Sequence, residues 1–73
     1  MPRTTTPIGQ QIAARRRVLG LSQEALAARL GCRQTRISAI ERGRAGVGVP
    51  TLCRIADALG CGFRLTADGV ELR

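Results

Sequence analysis

Apolar side chains recur along this 73-residue chain at three- and four-residue steps up to about residue 60, and at two-residue steps beyond it. The first spacing is that of helices with one buried face, the second that of strands with one buried face. The stretch from Gln23 to Gly43 organises the rest. Leu26, Ala27 and Leu30 predict one short helix, Gln23–Leu30, and Ile37 and Ile40 predict another, about Gln34–Arg42. Between them stands Gly31, which can take the positive φ that ends a helix cheaply. Cys32 follows, a small hydrophobe sized to plug the angle between two helices. Ala27 is small where steeply crossing helices would come closest.

The flanking sequence supplies further elements. Residues 1–5 read as a flexible basic tail. Thr6 is a good N-cap and Pro7 suits a first helical position. A helix from there to about Leu19 has Ile8, Ile12 and Leu19, with Val18 and Ala13 nearby, as its inner stripe, and Gly20 closes it. Ser22 is the expected N-cap of the next helix, although Ala25 leaves the capping box incomplete; Glu24 in the first turn complements the helix dipole. Arg33 is an unusual N-cap for the third. Gly43–Gly48, with three glycines in six residues, predicts a loop. Pro50 opens a fourth helix, Pro50–Leu59, with Leu52, Ile55, Ala56 and Leu59 inward and Gly60 at its end.

After Cys61 the period changes. Phe63, Leu65 and Ala67 alternate with Arg64 and Thr66; Val70 and Leu72 alternate with Glu71 and Arg73; Asp68-Gly69 between them is a two-residue hairpin signal. That turn sets Ala67 opposite Val70, Leu65 opposite Leu72 and Thr66 opposite Glu71, with the apolar side chains on one face. A lone two-stranded ribbon is marginal in water. It is expected to lean on the fourth helix or to pair with the same ribbon of a second subunit. The expected fold class is mainly α: four helices at residues 6–60 and a short β-hairpin at 61–73, in one small domain whose stability is marginal.

Charge alters the picture. Twelve arginines face five acids, a net +7. Residues 1–44 hold nine of the arginines and two of the acids; residues 45–73 hold three of each. The whole excess lies on the half that contains the two-helix stretch, which points to a polyanion, nucleic acid before an anionic membrane. No run approaches a membrane span, and no helix combines a broad apolar face with an Arg-rich one. Cys32, Cys53 and Cys61 form no ligand cluster and the chain has no His, so neither a metal, a cofactor nor a Cys/His nucleophile is expected. Free thiols and the absence of an apolar signal region lead to a cytoplasmic expectation.

Two short helices about a tight turn form the helix-turn-helix layout, in which the second helix is offered to a DNA groove. From Ile8 to Cys61 the chain resembles the Cro-type, lambda-repressor-like helix-turn-helix family. The likeness is carried by Ile8-Gly9-Gln10 and Ile12, Arg16 four residues before Gly20, LeuSerGln at 21–23, LeuAla at 26–27, Leu30-Gly31, Ile37-Ser38, Ile40-Glu41-Arg42-Gly43 and Ala58-Leu59-Gly60. The resemblance implies an internal ion pair between Arg16 and Glu41, and base reading by the outer face of the third helix. The residues agree with that role. With Ile37 and Ile40 inward, Gln34, Thr35, Arg36 and Ala39 face out. A Gln amide matches an adenine edge, an Arg fork matches guanine O6/N7, Thr donates, accepts or touches a thymine methyl, and Ala39 offers apolar contact alone. Gln23 at a helix N-terminus, with Arg33, Arg42 and Arg44, makes the phosphate-binding set.

The C-terminal ribbon is similar to that of HipB-type antitoxins, whose strands pair between subunits. This implies a homodimer joined through Phe63, Leu65, Val70 and Leu72. The expected function is a dimeric, sequence-specific regulator of transcription, a repressor on an inverted repeat of double-stranded DNA, with recognition helices about 34 Å apart. The alternative is an antitoxin that binds a toxin protein and DNA secondarily. A phage-type repressor or a restriction–modification controller stays open on the same residues.

Overall fold

Four helices and a ribbon follow in order as α1 (Ile8–Val18), α2 (Gln23–Leu30), α3 (Gln34–Glu41), α4 (Val49–Ala58), β1 (Phe63–Thr66) and β2 (Gly69–Leu72), in a computed structural model that describes residues 6–67 and 69–73. The expected tail at residues 1–5, and Asp68 of the expected turn, lie outside the described residues. The mainly α fold class with a C-terminal hairpin is what the change of period predicts.

The core is aliphatic. Ile12, Leu26, Ile37, Ile55 and Leu59 are each at most 1 % exposed, so every helix contributes at least one side chain, or in α4's case its C-cap as well, to a single cluster. Burying each contributes about 1.5–3 kcal/mol. Ser22 caps α2 by accepting a hydrogen bond from the Ala25 amide at 3.0 Å. Gly31, at φ 68°, ends it, and the Cys32 amide then donates back to Ala27 at 3.0 Å. Cys32 packs against the core from that position. Helices α2 and α4 cap one another: Arg29 donates to the carbonyl of Ala58 at 3.0 Å, and Arg54 donates to that of Leu30. Each guanidinium thereby serves a carbonyl group that its own helix end leaves unpaired.

Three expectations are corrected. Pro7, not Thr6, is the N-cap of α1; its ψ of 142° is extended, and its carbonyl receives the amides of Gln10 and Gln11. The inner stripe of α1 is also displaced. Val18 is 81 % exposed and Leu19 46 %, whereas Gly9, Ile12, Ala13 and Arg16 are buried. The cause is a close crossing with α3: a Cβ at residue 9 would collide with the carbonyl oxygen of Ile40 and stand 2.9 Å from that of Glu41. Glycine permits this approach, and Arg16, two turns on, is drawn inward to Glu41. Helix bounds shift by a residue, with Arg42 the C-cap of α3 and Val49 opening α4.

The third correction concerns the ribbon. The strands pair antiparallel with Phe63 opposite Leu72, Arg64 opposite Glu71, Leu65 opposite Val70 and Thr66 opposite Gly69. This is two residues from the expected register, and it keeps every side chain on its expected face because the strand period is two. Cross-strand chemistry accounts for the choice: Arg64 donates twice to Glu71 Oε2, at 2.9 and 3.0 Å, and Thr66 donates to the Gly69 carbonyl at 3.1 Å. Within the chain, helix α1 supports the ribbon through Gln11, whose amide donates to the Val70 carbonyl at 2.7 Å and accepts from the Leu72 amide at 2.8 Å. A side-chain amide thus occupies the outer edge of β2 as a neighbouring strand would, and Leu72 packs against the core.

Candidate nucleic-acid interface

Helix α3 is eight residues long and is oriented by Ile37 and Ile40, which are 1 % and 3 % exposed. With these inward, Thr35 and Arg36 are exposed, while Gln34 and Ala39 are half-buried. The residues expected to read bases therefore lie on the side of α3 away from the core, with Gln34 and Ala39 less accessible than Thr35 and Arg36. Arg33, in extended conformation before the helix, makes no side-chain cap, and its own side chain is exposed. Arg42 and Arg44, at and beyond the C-terminus of α3, are exposed too, and their backbone amides donate hydrogen bonds to the carbonyls of Ser38 and Ala39 at 3.0 and 2.9 Å.

Behind this side of α3 runs a continuous chain of hydrogen bonds. Arg16 meets Glu41 twice, Nε to Oε2 at 2.8 Å and Nη2 to Oε1 at 3.0 Å, and its Nη1 donates to the Leu21 carbonyl at 2.8 Å. The two side chains are 10 % and 5 % exposed. Gln23 then donates to Glu41 Oε1 at 2.9 Å, and Gln34 donates to Gln23 Oε1 at 2.6 Å. Gln23, expected as a phosphate contact, thus has both ends of its amide engaged inside the protein. One hydrogen of Gln34 is committed. Its Oε1 and second hydrogen remain, an acceptor–donor pair of the kind an adenine edge requires.

The ion pair sets its own electrostatics. Burial opposes charge on Glu41, but hydrogen bonds from Arg16 and Gln23 and the nearby charges of Arg16 and Arg17 outweigh it, and the carboxyl lies below its ordinary value. The bond from Glu41 raises the Arg16 guanidinium in turn, against the opposing effect of burial. Both groups are charged, and the pair is satisfied on nearly every side. Of the arginine triplet, Arg16 is buried, Arg15 is half-buried and Arg17 is exposed.

Among the described residues, no group of three or more His, Cys, Asp or Glu could hold a metal ion, and no helix is long and apolar enough to cross a membrane.

The family model of HTH_3 helix-turn-helix proteins matches residues 12–65. The chain belongs to this family. Helix-turn-helix proteins of this type are DNA-binding transcriptional regulators rather than enzymes, and this chain is one of them. It is 45 % identical over 53 residues to an uncharacterised HTH-type transcriptional regulator of Sinorhizobium fredii, y4dJ, a match covering 73 % of this chain and 69 % of that one. Among solved structures it is similar to the restriction–modification controller protein C.AhdI from Aeromonas hydrophila, at 33 % identity and a TM-score of 0.71, over 74 % of this chain and 82 % of that one. It is also similar to the P22 c2 repressor, solved in complex with a synthetic operator, at 33 % identity and a TM-score of 0.73, over 80 % and 88 % of the two chains. The family match ends at Leu65, inside β1, so β2 and the Gln11 contact that holds it lie beyond the shared pattern.

Sequence reasoning named two residues of this helix-turn-helix unit without finding what they do in the fold. Gly9 sets how closely α1 approaches α3, and nothing in the apolar period marks it. Gln23 links the ion pair to Gln34 at the start of α3. The only trace of that in the sequence is a second Gln eleven residues on, at a distance that only the turn between α2 and α3 closes.

Proposed function

We propose that two copies of this chain act together as a repressor on an inverted repeat, each placing α3 in the major groove of one half-site. The observation that carries the reading is the Gln34 amide, oriented by Gln23, with Thr35 and Arg36 exposed beside it. Arg36 matches guanine, Gln34 adenine, and Arg33, Arg42 and Arg44 flank them as phosphate contacts. The similarity to a repressor solved on its operator supports the same docking. The dimer is assigned to the ribbon. Leu65 is 66 % exposed, and Phe63 and Val70 share its face; Leu72 is engaged by the chain's own core. The outer edge of β2 is taken by Gln11, which leaves β1 as the strand for a second copy.

Selecting bound duplexes from a random pool tests the reading. The expected result is a two-fold symmetric site with half-sites about 34 Å apart or a multiple of that. A pool without enrichment, or a single unrepeated site, overturns it. Leu65→Glu is expected to shift sedimentation towards monomer with the helical signal intact; a dimer of unchanged strength would remove the ribbon from the interface.

A further inference from the structure

One charged surface feature extends beyond the contacts assigned so far: of its two exposed cations, Arg42 has a phosphate role above and Arg17 has none. Between α1 and the C-terminal end of α3 lies an open cleft, lined by Gln10, Ala14 and Arg17 on one side and by Gln23, Glu41 and Arg42 on the other. Gln10, Ala14 and Arg17 stand four and three residues apart, a single stripe along α1. Gln10 and Arg17 are exposed at the two ends of that stripe, with a small side chain between them that leaves room for an incoming group.

The floor of the cleft is electrostatically closed. The Glu41 side chain is 5 % exposed, and both of its oxygens are engaged, Oε2 by Arg16 and Oε1 by Arg16 and Gln23. The rim is not closed: Arg17 and Arg42 are exposed cations facing the same space. The cleft also adjoins the reading edge directly, since Gln23 in its wall accepts the hydrogen bond from Gln34. An anion that follows the edge of α3 meets this cleft next.

We infer that the cleft seats one phosphodiester of the DNA backbone, gripped by the Arg17 guanidinium from α1 and that of Arg42 from α3, with the Gln10 amide as a neutral third donor. The inference rests on the reading of α3 as the groove-facing helix and adds α1 to the surface that binds DNA. Two cations on different helices fix the phosphate relative to both, so the contact sets how deeply α3 enters the groove. It carries no base information itself.

The test measures binding of the intact chain to the selected operator and to an unrelated duplex across a series of salt concentrations. Arg17→Ala is expected to weaken both by the same factor, about five- to tenfold near 0.1 M salt, and to lower the slope of log K against log salt by about 0.9. Arg17→Lys is expected to keep the slope. Gln10→Ala is expected to weaken both duplexes by about two- to tenfold with the slope unchanged. Arg73→Ala, which removes an exposed arginine from the half of the chain that carries no net charge, controls for loss of general field. If Arg17→Ala behaves like Arg73→Ala while the wild-type chain binds with a steep salt dependence, the cleft assignment is overturned and the role of α3 stands. If the wild-type chain itself binds with a flat salt dependence, the reading of the surface falls first. In a separate titration with inorganic phosphate, the amide signals of α1 are expected to move no more than in chloride of equal ionic strength. Saturable binding of free phosphate at the cleft, with Arg17→Ala unimpaired on DNA, would overturn the assignment to the backbone.

Discussion

Among the described residues, two arginine–glutamate pairs have almost equal length, Arg16–Glu41 at 2.8 Å and Arg64–Glu71 at 2.9 Å, and they do different work. The first joins α1 to the end of α3 across 25 residues, with side chains 10 % and 5 % exposed. The second joins facing positions of one hairpin, with side chains 58 % and 43 % exposed. Distance does not separate them; surroundings do. Water screens the ribbon pair, and such pairs contribute about 0–1 kcal/mol. The α1–α3 pair has lost its water, so its carboxylate depends on Arg16 and Gln23, and its guanidinium on Glu41 and the Leu21 carbonyl. The buried pair is therefore linked to Gln34 at the start of α3 through Gln23, whereas the ribbon pair ends at its own hairpin.

The sharpest way to break this comparison is to remove one carboxylate from each pair. Glu41→Ala leaves Arg16 charged in a site with little access to water, and a loss of about 3–5 kcal/mol is expected in denaturant unfolding. Gly9→Ala attacks the same junction without touching charge. The added methyl forces the backbones of α1 and α3 apart, and a loss of about 1–3 kcal/mol is expected from the shift in unfolding midpoint. Gln23→Ala separates junction from function. Unfolding should change by about 1 kcal/mol, while the operator should lose about 1–3 kcal/mol of preference at the base pair proposed for Gln34, in binding to single-base variants of the site.

Acid should expose the buried pair as well. The Glu41 carboxyl is held below its ordinary value in the folded chain, so its stabilising share is fully present above the ordinary carboxylate range. That share is lost as pH falls through the depressed value. Thermal unfolding followed against pH should show the fall in the wild-type chain and a shallower one in Glu41→Gln. The smallest effect closes the comparison: Glu71→Ala should change stability by less than about 1 kcal/mol, and the change should shrink further in high salt. A loss as large as that of Glu41→Ala would show that exposure does not divide the two pairs.

The same contrast explains what was legible in the chain. Leu26, Ile37, Ile40, Leu52, Ile55 and Leu59 announced themselves by spacing, because a helix that buries one face must repeat every three or four residues. Ser22 and Gly31 were legible because capping is local chemistry. The ends of α1 were misread, since Val18 and Leu19 continue an apolar pattern that the fold leaves in solvent. Here the approach of α3 at Gly9, 31 residues upstream of Ile40, decided which stripe went inward, and no local period reports that. The ribbon's faces were legible and its register was not, because a slip of two leaves the alternation intact. The register depends on where Gln11 meets Val70 and Leu72, a contact across some sixty residues of sequence.

The sequence by itself determined the helices, the turn at Gly31, the hairpin, and the concentration of excess arginine in the first 44 residues. These follow from periodicity, capping and composition, which act between near neighbours or need no geometry at all. Only the tertiary structure decided that Gln23 holds Gln34 and that α1 carries the ribbon through Gln11. Each of these is a contact between groups distant along the chain, and side-chain hydrogen bonds of that kind form only after backbone packing has brought their partners within about 3 Å.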